Sequence, residues 1–352
     1  MLTNLRSRLT GTSVIMGITG LVIVVGVVLG AANTLATGKY GLDQYENLVV
    51  AGLARGSIYA LIALGYTLVY GVLRMINFAH SEVFMSGPFT AYFVARALFQ
   101  AGFLTESNPI PGLLITGIVS TLVSMGVAVM LERIAYRPLR KAPRLVPLIT
   151  AIGASFFLLY VFRGLYGSGL QRYPEVIHGE FPFLGIRVLN VQAVVIVSAI
   201  VVMLVLYFFV MRTKTGKAIR AMSEDKEVAS LMGINVDRSI ATTFAIGGAA
   251  AGAAGLLYAL IFGQVQFSMG FVPSIKAFTA AVLGGIGNIP GAMIGGLFLG
   301  VIEALFPNLV LDGLGIVAPN QLADAVAFVM LVFVLIFRPS GILGERLATA
   351  KA

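Results

Sequence analysis

The stretch LVVAGLARGSIYALIALGYTLVYGVL, residues 48–73, carries a single charged side chain, Arg55. A helix needs about 20 apolar residues to cross the hydrocarbon core of a bilayer, and this stretch is long enough. Hydrophobic residues make up 58% of the chain and charged residues only 11%, whereas a soluble domain carries about 25% charged residues. The sequence therefore predicts an all-α, polytopic transmembrane helical bundle.

Other apolar segments of similar length divide the rest of the chain, and we expect one transmembrane domain over residues 1–352 with nine or ten membrane segments. The further segments cover residues 14–32, 83–99, 113–131, 145–162, 191–211, 240–262, 271–305 and 322–337. Segment 271–305 is interrupted by GGIGNIPG at residues 284–291. This interruption predicts either two half-helices that meet inside the membrane or a short hairpin between two spans.

Residues 1–45 form an N-terminal extension with a first apolar run. Arg6 and Arg8 precede that run, which is also the pattern of a signal peptide. Because many further spans follow, we expect a retained first transmembrane helix. Within segment 240–262, Gly248 and Gly252 form a GxxxG pair, which predicts close packing against a helix of this chain or of a second subunit.

Basic residues cluster at particular loops. The connection RIAYRPLRKAPR, residues 133–144, holds five basic residues and no acid, and two spans later Arg212, Lys214 and Lys217 follow. The positive-inside rule places both connections in the cytoplasm, together with both termini. It accounts for the net charge of +9 without binding to nucleic acid.

The residues that metal and enzyme sites need are scarce. Cysteine is absent and the two histidines, His80 and His178, lie far apart, so no metal site or cofactor is expected. No nucleophile and base pair can be assembled, which argues against an enzyme. His178 falls in a nearly charge-balanced connection and is expected at the surface.

Polar side chains within or next to apolar segments are costly unless they face protein or water, which makes them candidates for a transport path. Arg74, Asn77, His80 and Glu82 lie between two spans, where they either serve function or cap a tight turn. Glu303 and Asp324 either line the path or pair with Lys276 or Arg55. The candidates for the translocation path are Asn77, His80, Glu82, Asn288 and Glu303.

The longest charged run is TKTGKAIRAMSEDKEVASLMGINVDR, residues 213–238. Its spacing predicts one short amphipathic helix with Gly216 and Gly233 at its ends. The expected apolar side consists of Ala218, Ala221, Met222, Ala229 and Met232. Such a helix docks a soluble partner, lies on lipid headgroups, or belongs to a solvated loop.

Several motifs in order resemble LivH-type permeases, the membrane subunits of bacterial ABC importers for branched-chain amino acids. They are ALGYTLVYGVLRMINFAHSEVFMSG at 63–87, GKAIRAMSEDKEVASLMGINVDR at 216–238, AVLGGIGNIPGAMIGGLFLG at 281–300 and ADAVAFVMLVFVLIFRPSGILG at 323–344. The family usually has His-Gly-Glu where this chain has His80, Ser81 and Glu82. Residues 1–45 exceed what the family core needs.

The resemblance implies a subunit of the bacterial plasma membrane that works with a LivM-like permease or a second copy, two ATPases and an external substrate-binding protein. It also implies that residues 213–238 couple the permease to the ATPases. The coupling residues would be Gly216, Lys217, Arg220, Asp225, Glu227, Ala229 and Gly233. The chain has no GxxxxGK[ST] phosphate loop, so ATP hydrolysis is expected on the partner subunits.

A rival hypothesis is an ion-coupled secondary transporter of a small polar solute. Such a transporter would also use Glu82, Glu303, Asp324 and a broken helix, but it would give residues 213–238 no role. Which amino acid, amide or urea is carried stays open, because one methylene changes binding by only about 1–3 kcal/mol.

Overall fold

The computed structural model describes residues 11–140, 142–143, 145–183, 185–338 and 340–344. The helices of its first half are α1 (Gly11–Thr37), α2 (Leu42–Leu73), α3 (His80–Gln100), α4 (Ile110–Leu131), α5 (Leu145–Tyr166) and α6 (Asn190–Arg212). Those of its second half are α7 (Lys214–Glu224), α8 (Lys226–Leu231), α9 (Val236–Phe262), α10 (Phe271–Gly284), α11 (Ile289–Phe306) and α12 (Ala323–Phe337). A π turn and a 3-10 turn, Glu132–Tyr136 and Arg137–Leu139, extend α4.

Eight of these helices are long and apolar enough to cross a membrane. The shorter α10 and the more polar α3 raise the number of membrane segments to ten within the described ranges, which matches the nine or ten expected from sequence. The prediction of an all-α, multi-pass membrane protein is confirmed. Arg6 and Arg8 of the N-terminal extension lie outside the described residues.

Helix α2 is the centre of the bundle, and it is buried almost without interruption from Ala54 to Leu73. Its closest neighbour is α11, because glycines face glycines where the two helices cross. A Cβ atom at Gly300 would overlap the backbone of Gly56, and one at Gly52 would press on the backbone of Gly300. In lipid, such small residues allow the close packing that holds helices together.

Helices α4 and α9 form a second close pair. Gly248 and Gly252 of α9 leave room for the backbone of α4 at Ser124 and Ser120, and the Ser120 hydroxyl donates to the Gly252 carbonyl at 2.7 Å. The predicted GxxxG contact therefore forms within the chain. The buried residues of α4 recur every three or four positions and are mostly small or polar, while its large apolar side chains face outward, as expected in lipid.

The two ends of the bundle differ in charge and in secondary structure. The end that carries residues 133–140 and 214–238 is called the basic face here. The opposite face carries two small antiparallel sheets. In one sheet β1 (Gln171–Arg172) pairs with β4 (Gln264–Val265), and in the other β2 (Glu180–Phe183) pairs with β3 (Ile186–Leu189). His178 is exposed on this face, as predicted.

Two helices begin inside the bundle rather than at a face. The side chain of His80, the first residue of α3, packs against Gly65, which lies eight residues, or about 12 Å, before the end of α2. A Cβ atom at Gly270, just before α10, would overlap the carbonyl of Ser81. The beginnings of α3 and α10 therefore lie side by side at mid-depth, and from there α3 runs to the opposite face and α10 to the basic face.

Residues 284–291 form a short hairpin between α10 and α11 and are not the meeting point of two half-helices. Gly284 and Gly291 pack backbone to backbone, and residues 340–344 cover the turn through contacts with Gly285. The expectation of half-helices meeting at this break was wrong, and the alternative of a hairpin holds. Gly and Pro can make either structure, so the sequence alone did not distinguish them.

Helix α1 lies against the π turn Pro307–Leu311, which follows α11. Gly30 packs on the carbonyl of Val310 and Gly313 packs on Gly30. Beyond the helix, Lys39 and Asp312 form an ion pair of 2.7 Å, and this hydrogen-bonded carboxylate raises the pKa of Lys39. The helix of the N-terminal extension is thus fixed to the main bundle near the opposite face.

Candidate functional site

Residues 213–238 fold as two helices on the basic face, α7 and α8, and not as the single helix expected. The chain leaves helical geometry at Asp225, whose φ of −147° and ψ of 118° are those of extended backbone. The Asp225 carboxylate then accepts the backbone N–H groups of Glu227 at 2.8 Å and Val228 at 3.0 Å. Aspartate favours such an N-cap, so this residue starts the second helix.

The two glycines of the segment differ in role. Gly233, with a φ of +84°, follows the end of α8 in the left-handed conformation that glycine adopts most readily. Gly216 lies inside α7, where a Cβ atom would overlap the carbonyls of Phe209 and Val210 in α6. The prediction that Gly216 punctuates the start of the helix was therefore wrong: Thr213 is the N-cap, and Gly216 allows α7 to fold back on α6.

The break at Asp225 also changes which side chains are buried. Ile219, Met222 and Ala229 face the bundle, whereas Ala221 and Met232, expected on the apolar side, are exposed. A helical period does not continue across an extended residue, so the expected apolar side does not form one stripe. The polar coupling candidates Lys217, Arg220, Asp225 and Glu227 are exposed as well.

Ionic and polar contacts join this segment and its surroundings to the spans. The guanidinium of Arg74, at the end of α2, donates to the carbonyl of Ser223 in α7. Arg137 and Arg140 both bind Asp237 at the start of α9, and Arg140 also binds Glu132. These contacts connect α2 with α7 and the extension of α4 with α9.

Lys226, the first residue of α8, lies in the same basic region. Partial burial, together with the nearby charges of Arg140 and Arg74, lowers its pKa. The basic face thus concentrates positive charge next to the segment.

Asn77, His80 and Glu82 lie at the junction where α3 begins, and all three are buried. The Tyr136 hydroxyl donates to Asn77 at 2.7 Å. The Glu82 carboxylate accepts hydrogen bonds from the hydroxyls of Ser81 and, at 2.7 Å, Ser155 of α5.

The imidazole of His80 packs at a tilt against the ring of Tyr66, with 4.6 Å between the ring centroids. Its Nε2 atom has no hydrogen-bond partner among the residues described. Two helix beginnings and this polar group lie together at mid-depth, an arrangement that transporters with broken helices share.

Asn288 lies apart from these residues, in the hairpin on the basic face. Its side chain accepts the N–H of Gly291 at 3.0 Å and donates to the carbonyl of Leu343 at 2.8 Å. It therefore caps α11 and holds the residues that follow α12, and its place on a transport path stays a prediction.

Glu303 belongs to a third place, a cluster of charges shared by three helices. Lys276 of α10 lies 2.8 Å from Glu303 of α11 and 2.6 Å from Asp324 of α12. The hydroxyl of Tyr59 in α2 donates to the same Glu303 oxygen, Oε1, at 3.3 Å. Of the pairings considered from sequence, Lys276 is the observed partner of both acids, and Arg55 pairs with neither in the described structure.

The ion cluster borders a cavity of about 630 Å³ that opens at the opposite face. The cavity lies between the first half of α2, the start of α6, the end of α11 and the start of α12. Its polar lining includes Gln44, Asn47, Arg55, Gln192, Glu303 and Asn308. No sequence spacing brings Arg55, Gln192 and Glu303 together, because they belong to helices that lie far apart in the chain.

The ten membrane segments of the described ranges, with buried charge among them and a folded polar segment on one face, are typical of a membrane subunit of a transport system. The model of a protein family described as "Branched-chain amino acid transport system / permease component" matches residues 48–335. The chain belongs to this permease family.

The names of individual proteins with similar sequences agree with this family. The chain is 43% identical over 307 residues to the high-affinity branched-chain amino acid transport system permease protein BraD of Pseudomonas aeruginosa, covering 86% of this chain and 96% of that protein. It is 42% identical over 312 residues to LivH of Escherichia coli K12, with 87% and 96% covered. A probable LivH of Methanocaldococcus jannaschii is 27% identical over 316 residues, with 86% and 94% covered.

Proposed function

We propose that this chain is the permease subunit of an ATP-driven importer for branched-chain or related neutral amino acids. The observation that carries the proposal, beside the family, is the segment of residues 213–238. On its α8 end it exposes Val228, Leu231 and Met232, with 55%, 87% and 79% of their surfaces accessible. Contiguous exposed apolar side chains mark a surface for a protein partner, which in this family's transport systems is an ATPase.

The contacts of the segment support a route from the ATPase to the spans. Movement of α7 acts on α2 through the contact between Arg74 and Ser223. Helix α2 also carries Tyr59, whose hydroxyl donates to Glu303 of the ion cluster, and Gly65, against which His80 packs. We infer that closure of the ATPases shifts α2 against α10 and α11 and opens the path alternately to the two faces.

We assign the partner proteins to the two faces of the bundle from the distribution of basic residues. The basic face points to the cytoplasm under the positive-inside rule, with both termini on that side and the ATPases bound there. The external substrate-binding protein docks on the opposite face, where the cavity opens. A related permease or a second copy completes the membrane part, and lipid surrounds the large apolar side chains that face outward.

The energy source separates this proposal from an ion-coupled secondary transporter, for which the buried charges of Lys276, Glu303 and Asp324 would also be suited. Cells that carry the complete transport system are treated with a protonophore while their ATP is kept high, and uptake of labelled leucine is measured. Uptake that persists supports the ATP-driven importer. Uptake that collapses with the proton gradient, while ATP remains high, contradicts it.

A further inference from the structure

The cavity at the opposite face combines opposite charges in one wall. Glu303 is only 4% exposed, and while its Oε1 atom binds Lys276 and Tyr59, its Oε2 atom has no hydrogen-bond partner among the residues described. Leaving a carboxylate oxygen buried and unpaired costs free energy. A ligand with a hydrogen-bond donor would remove that cost.

Arg55 supplies the positive charge of the same wall. It lies four residues before Tyr59 in α2, so the two side chains share one side of the helix and Arg55 is about 6 Å nearer the opposite face. Arg55 is half-buried and lines the cavity. Within the described ranges no carboxylate lies within ion-pair distance of its guanidinium.

At the inner end of the cavity, where the ion cluster and Arg55 lie, the charges balance. Lys276 and Arg55 carry two positive charges, and Glu303 and Asp324 carry two negative charges. A net cation or anion would upset this balance, whereas a zwitterion adds no net charge. The volume of about 630 Å³ lies within the range of about 300–1,000 Å³ that small-molecule sites occupy.

We propose that this cavity is a binding site for a zwitterionic α-amino acid, with the ammonium group at the carboxylate of Glu303 and the carboxylate at Arg55. Amides of Gln44, Asn47, Gln192 and Asn308 provide further hydrogen bonds around the backbone of the ligand. The inference rests on the proposed function, because it places the solute of the importer within the permease itself, at the face where the binding protein would release it.

The chain has no cysteine, which permits a direct test by thiol labelling. Ala51→Cys places a thiol in the cavity wall, and Ser168→Cys places one on an exposed loop of the same face, away from the cavity. The complete transport complex is reconstituted in proteoliposomes, and the rate of reaction with a small methanethiosulfonate is measured with and without L-leucine. The expected result is that leucine at ten times its dissociation constant slows labelling of Ala51→Cys about tenfold and leaves Ser168→Cys unchanged.

Two ligand analogues and three variants test which charged groups the site recognises. We expect 4-methylpentanoate, which lacks the ammonium group, and 3-methylbutylamine, which lacks the carboxylate, to give no protection. Arg55→Gln in the Ala51→Cys chain should raise the half-protecting leucine concentration about 10- to 100-fold, and Arg55→Lys should restore part of it. Glu303→Gln should weaken protection as well. The effect of Glu303→Gln on folding is checked by size-exclusion chromatography of the purified variant.

Absence of protection by leucine would overturn the proposed site, and so would equal protection by the amine alone, which would make the cavity a cation site. ATP-driven leucine uptake, measured in the same proteoliposomes with the binding protein added, separates the two hypotheses. Uptake without protection removes the site and leaves the importer in place. Protection by leucine without uptake supports the site and counts against the proposed function.

Discussion

The ammonium group of Lys276 lies between two carboxylates that belong to two other helices. Lys276 and Glu303 are both buried, so each charge depends on the other for compensation. Asp324, at the start of α12, is half-exposed and keeps contact with water. The cluster therefore fixes α10, α11 and α12 to one another at the level of the cavity.

Lys276→Met should destabilise the protein strongly, because Glu303 would keep a buried charge without a partner. The expected loss is about 3–5 kcal/mol, the usual effect of breaking a buried ion pair. Thermal unfolding of the purified protein in detergent, followed by size-exclusion chromatography, measures it.

The double variant with Lys276→Met and Glu303→Gln removes both charges and should recover most of the lost stability. A matched control is Arg187→Met at the pair of Arg187 and Glu180, where both partners are exposed and a loss below about 1 kcal/mol is expected. A double variant no more stable than Lys276→Met alone would show that the pairing is not what the stability depends on.

The sequence identifies the charged residues of this cluster better than their arrangement. An acid in an apolar segment needs a partner, and the sequence alone makes Lys276 a candidate partner for both Glu303 and Asp324. Asn288 is different, because a residue in a glycine-rich break can line a path or cap a helix equally well. The contact with Leu343, which settles its structural role, joins residues whose proximity no sequence pattern indicates.

Close helix contacts are the main feature at the scale of elements. Helices α2 and α11 cross at Gly56 and Gly300, where the two backbones leave no room for side chains. By contrast, Gly126 of α4 has open space around the position of a Cβ atom. The same substitution should thus have opposite effects at the two kinds of position.

Gly300→Ala should force α2 and α11 apart and cost about 1–3 kcal/mol or more, as overpacking does. Gly126→Ala is the matched control, and it should leave stability unchanged or raise it by about 0.5–1 kcal/mol, since alanine favours a helix. The yield of monodisperse protein and its melting temperature report both effects. Equal tolerance of the two substitutions would contradict the close crossing of α2 and α11.

Charge reversal at the start of α8 tests the coupling role of the segment. The double variant Asp225→Lys and Glu227→Lys should uncouple ATP hydrolysis from leucine uptake while the protein still inserts into the membrane. Because Asp225 also caps α8, part of the effect would be the loss of a cap, about 1 kcal/mol.

The control for that loss is Asp225→Asn with Glu227→Gln, which removes the charges and keeps a good capping residue. If charge contacts with the ATPase matter, this control should also be impaired, though less than the lysine variant. Normal uptake in the lysine variant would rule out the coupling role of these two residues.

The positions of the helices followed from apolar length, whereas breaks within them did not. The spacing of apolar residues gives no sign of the break at Asp225, where one expected helix becomes two. An aspartate also occurs on the polar surface of a continuous helix. The sequence also did not predict that α3 and α10 begin at mid-depth. Their positions depend on the contact of His80 with Gly65 and on the contact of Gly270 with Ser81.

For the molecule as a whole, the direction of the bundle in the membrane is the property that positions every partner. Glu224→Cys on the basic face and Ser168→Cys on the opposite face are both at exposed positions of a cysteine-free chain. In intact cells, a membrane-impermeant maleimide should label Ser168→Cys at once and Glu224→Cys only after permeabilisation. The reverse pattern would invert the proposed orientation.

Co-purification shows whether separate ATPases bind this permease through residues 213–238, as the proposed importer requires. The detergent-solubilised wild-type protein and a variant with Leu231→Ser and Met232→Ser are isolated from native membranes, and their partners are identified by mass spectrometry. We predict that the wild type brings down P-loop ATPases and a permease partner, and that the variant loses the ATPases but keeps the permease partner. Recovery of the wild-type chain alone, from a preparation in which known complexes stay intact, would contradict the proposed importer.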